Sequence, residues 1–303
     1  HVNLARPGVL TRSDVKSIVM RNRGGFLRVS GPTIRVHTKF FNKRNAMDLE
    51  SFYEQLFFGT VRISISEEGI GSSIGTGFIF ETPLECLPGK KVTLLISNKH
   101  VFYDTSKNIN IEFHKKNGNG GPLIGEKWPL YGTDFSRIYF EHPDEDIDLA
   151  CLNISGMAEE AYFRVLNEDW ILDFSSSDLL PGQEVLFVGY PEDRFDVKNN
   201  LPLLRKGYIA SMPKLDFNGE DQIVIDAQVW PGSSGSPVFV NMNGRFAFLG
   251  VVTQTMIKNQ QLQTITSNTG ESVQQVLGLG IILKASLLPK LFETVKKSIC
   301  ENL

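Results

Sequence analysis

The chain has 303 residues, of which 41% are hydrophobic, so it is long enough to bury a sizeable core. It contains no run of 18 or more apolar residues, which argues against a membrane-spanning helix and predicts no membrane partner. The net charge of −3 conceals an asymmetry, because residues 1–46 carry ten lysines and arginines against one acid, Asp14. That segment has a net charge of +9 and leaves −12 for the remainder, which indicates a basic arm on an acidic body.

Cysteine and histidine usage predicts a chain without disulfides or metal. The three cysteines, Cys86, Cys151 and Cys300, are an odd and widely separated set, which is a poor disulfide framework. This usage favours a reducing compartment, so a cytoplasmic location is expected, with secretion without disulfides as the alternative. The five histidines are scattered without zinc-ligand spacing, so neither a structural metal nor a cofactor is expected.

Hydrophobic patterning predicts a short helix, two β-rich blocks and a final helix. Residues 48–58 are predicted to form a short helix that packs by its aromatic side. Strand-like runs between Gly, Pro, Asn and Asp turns then follow at residues 61–66, 75–82, 91–98, 108–114, 136–140 and 146–154. Residues 155–180 connect to a second block, with runs at residues 183–190, 205–211, 222–229, 236–240, 245–254 and 277–285. Apolar residues at three-to-four-residue spacing after residue 285 predict a C-terminal helix.

The stretch WPGSSGSPVF, residues 230–239, has one glycine two positions before Ser234 and another directly after it. A plain interpretation is a polar turn that joins two strands. The functional interpretation is that the glycines let the backbone fold around one serine and aim its N–H groups at a reacting oxygen. A serine nucleophile needs a base and a group that orients the base. His100 follows an apolar strand and Asp148 precedes another, so these two side chains are the candidates.

His100 and Asp148 are each unremarkable alone, but with Ser234 their order and spacing resemble those of the chymotrypsin-like (trypsin-like) serine peptidases. The resemblance covers about residues 56–303. It is carried by GSSGSP around Ser234, by Asn-Lys-His ending at His100, and by Asp-Leu-Ala starting at Asp148. Three further stretches agree with the family's strands, namely IGTGFIF at residues 74–80, LGVVT at 249–253 and GLGI at 278–281.

This resemblance implies an all-β fold of two Greek-key β-barrels, with a C-terminal α-helix and a basic N-terminal extension. The implied boundaries are residues 1–46 for the extension, 47–165 for a first barrel with His100 and Asp148, and 166–303 for a second barrel with Ser234.

Roles for individual residues follow from the same resemblance. Ser234 would be the nucleophile, His100 its base and Asp148 the acid that orients His100. The backbone N–H groups of Gly232 and Ser234 would form the oxyanion hole, and Thr253 would support the acid.

The substrate pocket implied by the resemblance contains Gln228 at its floor, together with Val252 and Thr253. An uncharged floor predicts an apolar or uncharged polar residue before the cleaved bond. Ser233 stands where zymogen-activated members carry an aspartate, so that activation switch is not expected. Val101 follows the histidine where disulfide-bonded secreted members have a cysteine.

The function expected from these residues is a serine endopeptidase that hydrolyses peptide bonds of proteins or peptides through an acyl-enzyme. A catalytically silent binding or scaffold protein on the same fold is the alternative. The basic arm, residues 1–46, adds a predicted contact with nucleic acid or an acidic partner, since many cations near phosphates give salt-sensitive binding. A solvated extension is the plain interpretation of the arm.

Overall fold

The structure, a computed structural model, describes residues 49–67, 70–263 and 268–302. These residues fall within one compact unit of the chain, residues 47–303. The first element is helix α1 (Leu49–Gly59), at the position where a short aromatic helix is predicted. Its side chain Phe52 is buried and stacks on Phe246 with 4.3 Å between ring centroids. Aromatic packing against the second half of the chain therefore holds this helix in place.

An antiparallel sheet follows α1 and carries the residues of the first predicted block. Its strands and its one short helix, α2, are β1 (Thr60–Glu67), β2 (Ile70–Pro83), β3 (Lys91–Ser97), α2 (Lys99–Phe102), β4 (Asn108–Lys116), β5 (Pro122–Thr133), β6 (Tyr139–Glu141), β7 (Ala150–Asn153) and β8 (Ala161–Tyr162). The strands lie in the order β5-β4-β1-β2-β3-β7-β6, and β8 pairs with β4. Strand β3 is central and almost wholly buried, as its continuous apolar sequence predicts.

The second block closes into a six-stranded barrel. Its strands are β9 (Glu184–Gly189), β10 (Leu203–Ile209), β11 (Gln222–Asp226), β12 (Pro237–Met242), β13 (Arg245–Gln263) and β14 (Asn268–Lys284). The closed order is β10-β11-β14-β13-β12-β9. The fold is thus mostly β and chymotrypsin-like, as predicted, although the hydrogen bonds of the first sheet follow an open path where a second closed barrel is expected.

Helix α3 (Leu288–Glu301) ends the described chain and short 3-10 turns connect several strands. The apolar face of α3 is buried through Leu288, Leu291, Phe292 and Val295, which are the residues whose spacing predicts the helix. The 3-10 turns lie at Ser136–Ile138, Ser155–Met157, Glu168–Trp170, Pro191–Asp193 and Ala285–Leu287.

Three apolar clusters form the core among the residues that the structure describes. One cluster joins the two blocks, because it contains Phe78 and Phe80 of the sheet together with Phe239 and Phe248 of the barrel. The other two lie within the sheet and within the barrel. Strand β4 shows how the sheet's cluster arises, since its buried Ile109, Ile111 and Phe113 alternate with half-buried polar residues.

A disulfide joins Cys86 and Cys300, which corrects the expectation of a chain without disulfides. The two residues are 214 positions apart in sequence, yet their Cα atoms lie 6.0 Å apart. Packing of α3 against the sheet brings Cys300 beside the turn between β2 and β3, a proximity that cysteine spacing cannot reveal. Cys151 is the free, buried cysteine.

Candidate active site

Adjacent strand ends bring His100 and Asp148 together. Strand β3 pairs with β7 in a register that sets Ser97 opposite Ala150. His100 lies on α2, directly after β3, and Asp148 lies directly before β7. Because the strands are antiparallel, the end of one and the start of the other meet at the same edge of the sheet.

The His100 ring and the Asp148 carboxylate form a short hydrogen-bonded pair. His100 Nδ1 lies 2.6 Å from Asp148 Oδ2, and the backbone N–H of His100 donates to Oδ1 at 3.1 Å. Thr253 Oγ1 on β13 donates a third hydrogen bond to Oδ2 at 2.9 Å, the contact that the resemblance assigns to it. Hydrogen bonds from His100 and from Thr253 of the barrel therefore together hold the Asp148 carboxylate.

These contacts lower the pKa of Asp148. Burial raises the pKa of this carboxyl, but the hydrogen bond and charge of the His100 ring, the His100 backbone N–H and the Thr253 hydroxyl outweigh burial and hold the pKa below its ordinary value. Asp148 consequently stays ionised at neutral and mildly acidic pH, so it accepts hydrogen bonds from His100 and Thr253.

Asn98 and Lys99, the two residues that precede His100, hold the acidic turn at residues 144–148 in place. The buried Asn98 donates through Nδ2 to the carbonyl oxygen of Asp148 at 2.8 Å. Lys99 Nζ donates to the carbonyl oxygens of Asp144 and Glu145 at 3.1 and 3.2 Å. The sequence interpretation uses Asn98 and Lys99 only as part of a motif and gives them no structural role.

Ser234 lies in residues 230–236, called the serine loop below, immediately before β12. Its Oγ donates to the carbonyl oxygen of Thr253 at 3.3 Å. Within the described ranges, no hydrogen bond joins this hydroxyl to His100, the side chain that the resemblance assigns as its base. Thr253 instead connects the predicted residues, because its side chain contacts Asp148 and its carbonyl contacts Ser234.

The two glycines of the serine loop permit a close approach that no side chain could allow. Gly232 has φ of +87° and Gly235 has φ of +85°, a left-handed conformation that favours glycine. A Cβ at Gly232 would lie 2.4 Å from the carbonyl oxygen of Tyr190, and one at Gly235 would lie 1.9 Å from that of Thr76. Both glycines are therefore required by backbone geometry.

The loop conformation leaves two N–H groups free. The N–H groups of Ser233, Gly235 and Ser236 donate to the carbonyl oxygens of Trp230, Val252 and Ser233 at 2.8–3.0 Å. The N–H groups of Gly232 and Ser234 donate to no protein acceptor in the part of the chain that the structure describes. These are the two amides that the resemblance assigns to the oxyanion hole, and they stay available to a bound oxygen.

The residues predicted to line the substrate pocket differ in their exposure to solvent. Gln228 is exposed, whereas Val252 is fully buried in the apolar cluster of the barrel. Thr255 Oγ1 donates to the carbonyl oxygen of Val229 at 2.8 Å and so joins β13 to the segment before the serine loop. The pocket roles of Gln228, Val252 and Thr253 stay predictions.

Neither a candidate metal site nor a membrane-spanning helix lies among the described residues. There, no group of three or more His, Cys, Asp or Glu side chains is arranged to hold a metal ion. No helix in the described ranges has the length and apolar character needed to span a membrane.

The closed barrel, the antiparallel sheet and the C-terminal helix define a chymotrypsin-like fold. The trypsin-like peptidase domain family matches residues 75–251, which is more than half of the chain. The chain therefore belongs to the trypsin-like peptidase family. No curated protein sequence matches the chain.

Several solved protease structures are similar to the chain at low sequence identity. An HtrA-type protease with a tripeptide is 14% identical, with 83% of this chain and 64% of that protein covered and a TM-score of 0.47. The serine endoprotease from Yersinia pestis is 17% identical, with coverages of 84% and 68% and a TM-score of 0.46. A protease from M. tuberculosis in its active form is 16% identical, with coverages of 80% and 83% and a TM-score of 0.44. The chain thus spans less than two thirds of the length of the HtrA-type protease.

Proposed function

We propose that the chain is a serine endopeptidase that cleaves peptide bonds of proteins or peptides with Ser234, His100 and Asp148. The observation that carries the proposal is the 2.6 Å contact between His100 and Asp148, which Thr253 connects to Ser234. The N–H groups of Ser234 and Gly232 have no acceptor in the described part of the chain. His100 and Asp148 already have the hydrogen bond that their roles require, whereas the Ser234 hydroxyl would have to turn from the carbonyl oxygen of Thr253 to His100.

The first half of the reaction would form an acyl-enzyme. Ser234 Oγ leaves the carbonyl oxygen of Thr253, passes its proton to His100 Nε2 and bonds to the substrate carbonyl carbon. The oxygen of that carbonyl takes the negative charge and accepts hydrogen bonds from the N–H groups of Gly232 and Ser234. His100 then gives its proton to the leaving amine, and the peptide C–N bond breaks.

The second half would release the acid product. A water molecule gives a proton to His100 and attacks the acyl carbon, and the bond to Ser234 Oγ breaks as His100 returns the proton to Ser234. Asp148 accepts the Nδ1–H hydrogen bond throughout and stabilises the imidazolium that forms twice in the cycle. Its lowered pKa supports this role, because the carboxylate remains charged while His100 gains a proton.

Covalent labelling with a fluorophosphonate probe tests the proposal. Ser234 Oγ bonds to phosphorus, fluoride leaves, and His100 takes the hydroxyl proton, so labelling reports the nucleophile and the base together. We expect wild-type chain to be labelled and both Ser234→Ala and His100→Ala to lose labelling. Ser177→Ala is the matched control, because it removes an exposed serine hydroxyl far along the chain from the site. Labelling that persists in Ser234→Ala would assign the reactive residue elsewhere.

A catalytically silent scaffold on the same fold is the second candidate function. The hydrogen bond of Ser234 Oγ to Thr253, in place of His100, is the observation that favours it. In that case a folded wild-type chain would not react with the probe at any pH at which it stays folded.

Two further expectations stay predictions. The basic arm, residues 1–46, lies outside the described residues, and its binding to nucleic acid or an acidic partner would appear as salt-dependent affinity lost on removal of the arm. The predicted cytoplasmic location is also untested. The Cys86–Cys300 disulfide supports the secreted alternative, since disulfides persist in oxidising compartments.

A further inference from the structure

Thr76 of β2 contacts the serine loop from the opposite half of the chain. This fully buried residue donates through Oγ1 to the carbonyl oxygen of Gly232 at 2.8 Å, across 156 positions of sequence. Its backbone N–H donates to the carbonyl oxygen of Ser234, also at 2.8 Å. The sequence interpretation includes Thr76 in a strand motif and gives its side chain no role.

The surroundings of Thr76 hold its hydroxyl and backbone in one position. Oγ1 accepts a hydrogen bond from the backbone N–H of Tyr190 at 3.2 Å, so its own proton is directed at Gly232. The carbonyl oxygen of Thr76 accepts the hydroxyl of Ser97 at 2.6 Å. Gly189 leaves the space that the hydroxyl needs, because a Cβ there would lie 2.8 Å from Oγ1.

Gly232 needs outside contacts to fix its orientation. A glycine has few barriers to rotation of the peptide planes on its two sides. The plane before Gly232, which carries its free N–H, is held because the carbonyl oxygen of Pro231 accepts the backbone N–H of Glu192 at 2.6 Å. The plane after Gly232 is held at its carbonyl oxygen by the Thr76 hydroxyl and at the N–H of Ser233 by the carbonyl oxygen of Trp230, at 3.0 Å. Losing the Thr76 contact would leave the hydrogen bond to Trp230 alone to fix this plane, so the free amides would point less uniformly to one position.

The chain has no carboxylate at the position next to Ser234 that could perform this task. Ser233 is buried, and its hydroxyl has no hydrogen-bond partner in the described part of the chain. The fixed loop conformation must therefore come from other groups, and among the described residues Thr76 is the side chain that donates a hydrogen bond directly to the loop.

We propose that Thr76 is a positioning residue whose hydroxyl holds the serine loop so that the amides of Gly232 and Ser234 point to one oxyanion. The catalytic part of this inference rests on the proposed function, whereas the effect on the loop conformation does not. A role limited to core packing would instead need only the shape of Thr76 and not its hydroxyl.

Three variants distinguish a role of the Thr76 hydroxyl from a role of the shape of its side chain. Thr76→Ser keeps the donor, and Thr76→Val keeps the branched shape but removes the donor. Thr82→Val is the matched control, because Thr82 is also fully buried on β2 and its Oγ1 donates to Glu168, away from the serine loop. Thermal unfolding of all three measures any general loss of stability.

Two readouts are taken on each variant. We expect Thr76→Val to slow the second-order rate of fluorophosphonate labelling by about ten- to a hundredfold, somewhat less than the usual effect of deleting an oxyanion donor. Hydrogen–deuterium exchange in a peptide covering residues 230–236 should become roughly tenfold faster, because the amides of Ser233 and Ser236 lose their fixed geometry. Thr76→Ser should stay within about threefold of wild type in both readouts, and Thr82→Val should too.

Each result decides the inference. Wild-type labelling and wild-type exchange in Thr76→Val would overturn it, and so would equal slowing in Thr76→Val and Thr82→Val. If the wild-type chain is not labelled at all, the proposed function fails and the exchange experiment decides alone. Faster exchange confined to residues 230–236 in Thr76→Val then supports the positioning role, and unchanged exchange refutes it.

Discussion

Replacing both Cys86 and Cys300 with serine is expected to lower the free energy of unfolding by about 2–5 kcal/mol. The disulfide closes a loop across 214 positions of sequence. For a loop of that length the chain-entropy relation gives roughly 18 cal/mol/K, or about 5 kcal/mol at 25 °C, as the stabilisation from restricting the unfolded chain. Native disulfides commonly contribute about 2–4 kcal/mol, which sets the lower part of the range.

The double variant should nevertheless keep the native fold. The apolar face of α3 remains buried without the disulfide, and Lys296 next to it still pairs with Glu85 at 3.0 Å. Fluorophosphonate labelling below the unfolding transition should therefore match that of wild type, because the bond lies at the end of α3 and contacts neither His100 nor Ser234.

Chemical denaturation followed by fluorescence of the three tryptophans measures the difference. The matched control is the same experiment in a strong thiol reductant, which opens the disulfide of wild type and should bring the two midpoints together. A double variant as stable as the oxidised wild type would refute the reasoning. A persistent difference under reductant would show that the serines, and not the lost bond, cause the change.

Three other perturbations have outcomes that the structure specifies. Phe52→Ala should lower the free energy of unfolding by about 3–5 kcal/mol in denaturation experiments, because the ring is buried and stacked on Phe246. Burial lowers the pKa of His114, so the unfolded chain binds a proton at a pH where the folded chain does not, and stability falls as pH drops below about 6.5. His114→Phe should therefore reduce the fall in melting temperature between pH 7.5 and pH 5, as measured by calorimetry. Gly235→Ala should slow fluorophosphonate labelling by roughly a hundredfold, because its methyl group would meet the carbonyl oxygen of Thr76 at 1.9 Å.

Different results would contradict each of these expectations. A stability loss below about 1 kcal/mol in Phe52→Ala would show that α1 packs elsewhere. An unchanged dependence of melting temperature on pH in His114→Phe would mean that this imidazole titrates alike in both states. Wild-type labelling in Gly235→Ala would show that the serine loop lies farther from β2 than the structure has it.

The strands that sequence patterning predicts best are those buried on one or both faces. Strand β3 reads as a continuous apolar run and β4 as an alternating one, and both form within a residue or two of the expected ends. Strand β5 escapes prediction because Pro122, Pro129 and a left-handed Gly125 interrupt its pattern. An edge strand tolerates prolines, and pairing with β4 supplies the hydrogen bonds that its own sequence does not suggest.

The closed barrel likewise has strands whose extent the residue pattern predicts only in part. Strands β13 and β14 are predicted to end near residue 254 and to begin near residue 277, whereas their pairing continues to Gln263 and Asn268. Two neighbouring strands stay paired for as long as their backbone N–H and C=O groups continue to form hydrogen bonds with each other. The length of the pairing therefore depends on both strands together, and the residue pattern of one strand does not reveal it.

By itself, the sequence determined the residue types and local backbone features of the candidate site. The glycines on both sides of Ser234, the strand before His100 and the strand after Asp148 are local patterns, and local patterns persist into the folded chain. Only the tertiary structure decided which distant groups meet. The Thr76 contact with Gly232 spans 156 positions and the disulfide spans 214. The contact of the Ser234 hydroxyl with the carbonyl oxygen of Thr253 depends on how the serine loop lies against β13 within the barrel. Such contacts follow from strand register and packing, which no short stretch of sequence contains.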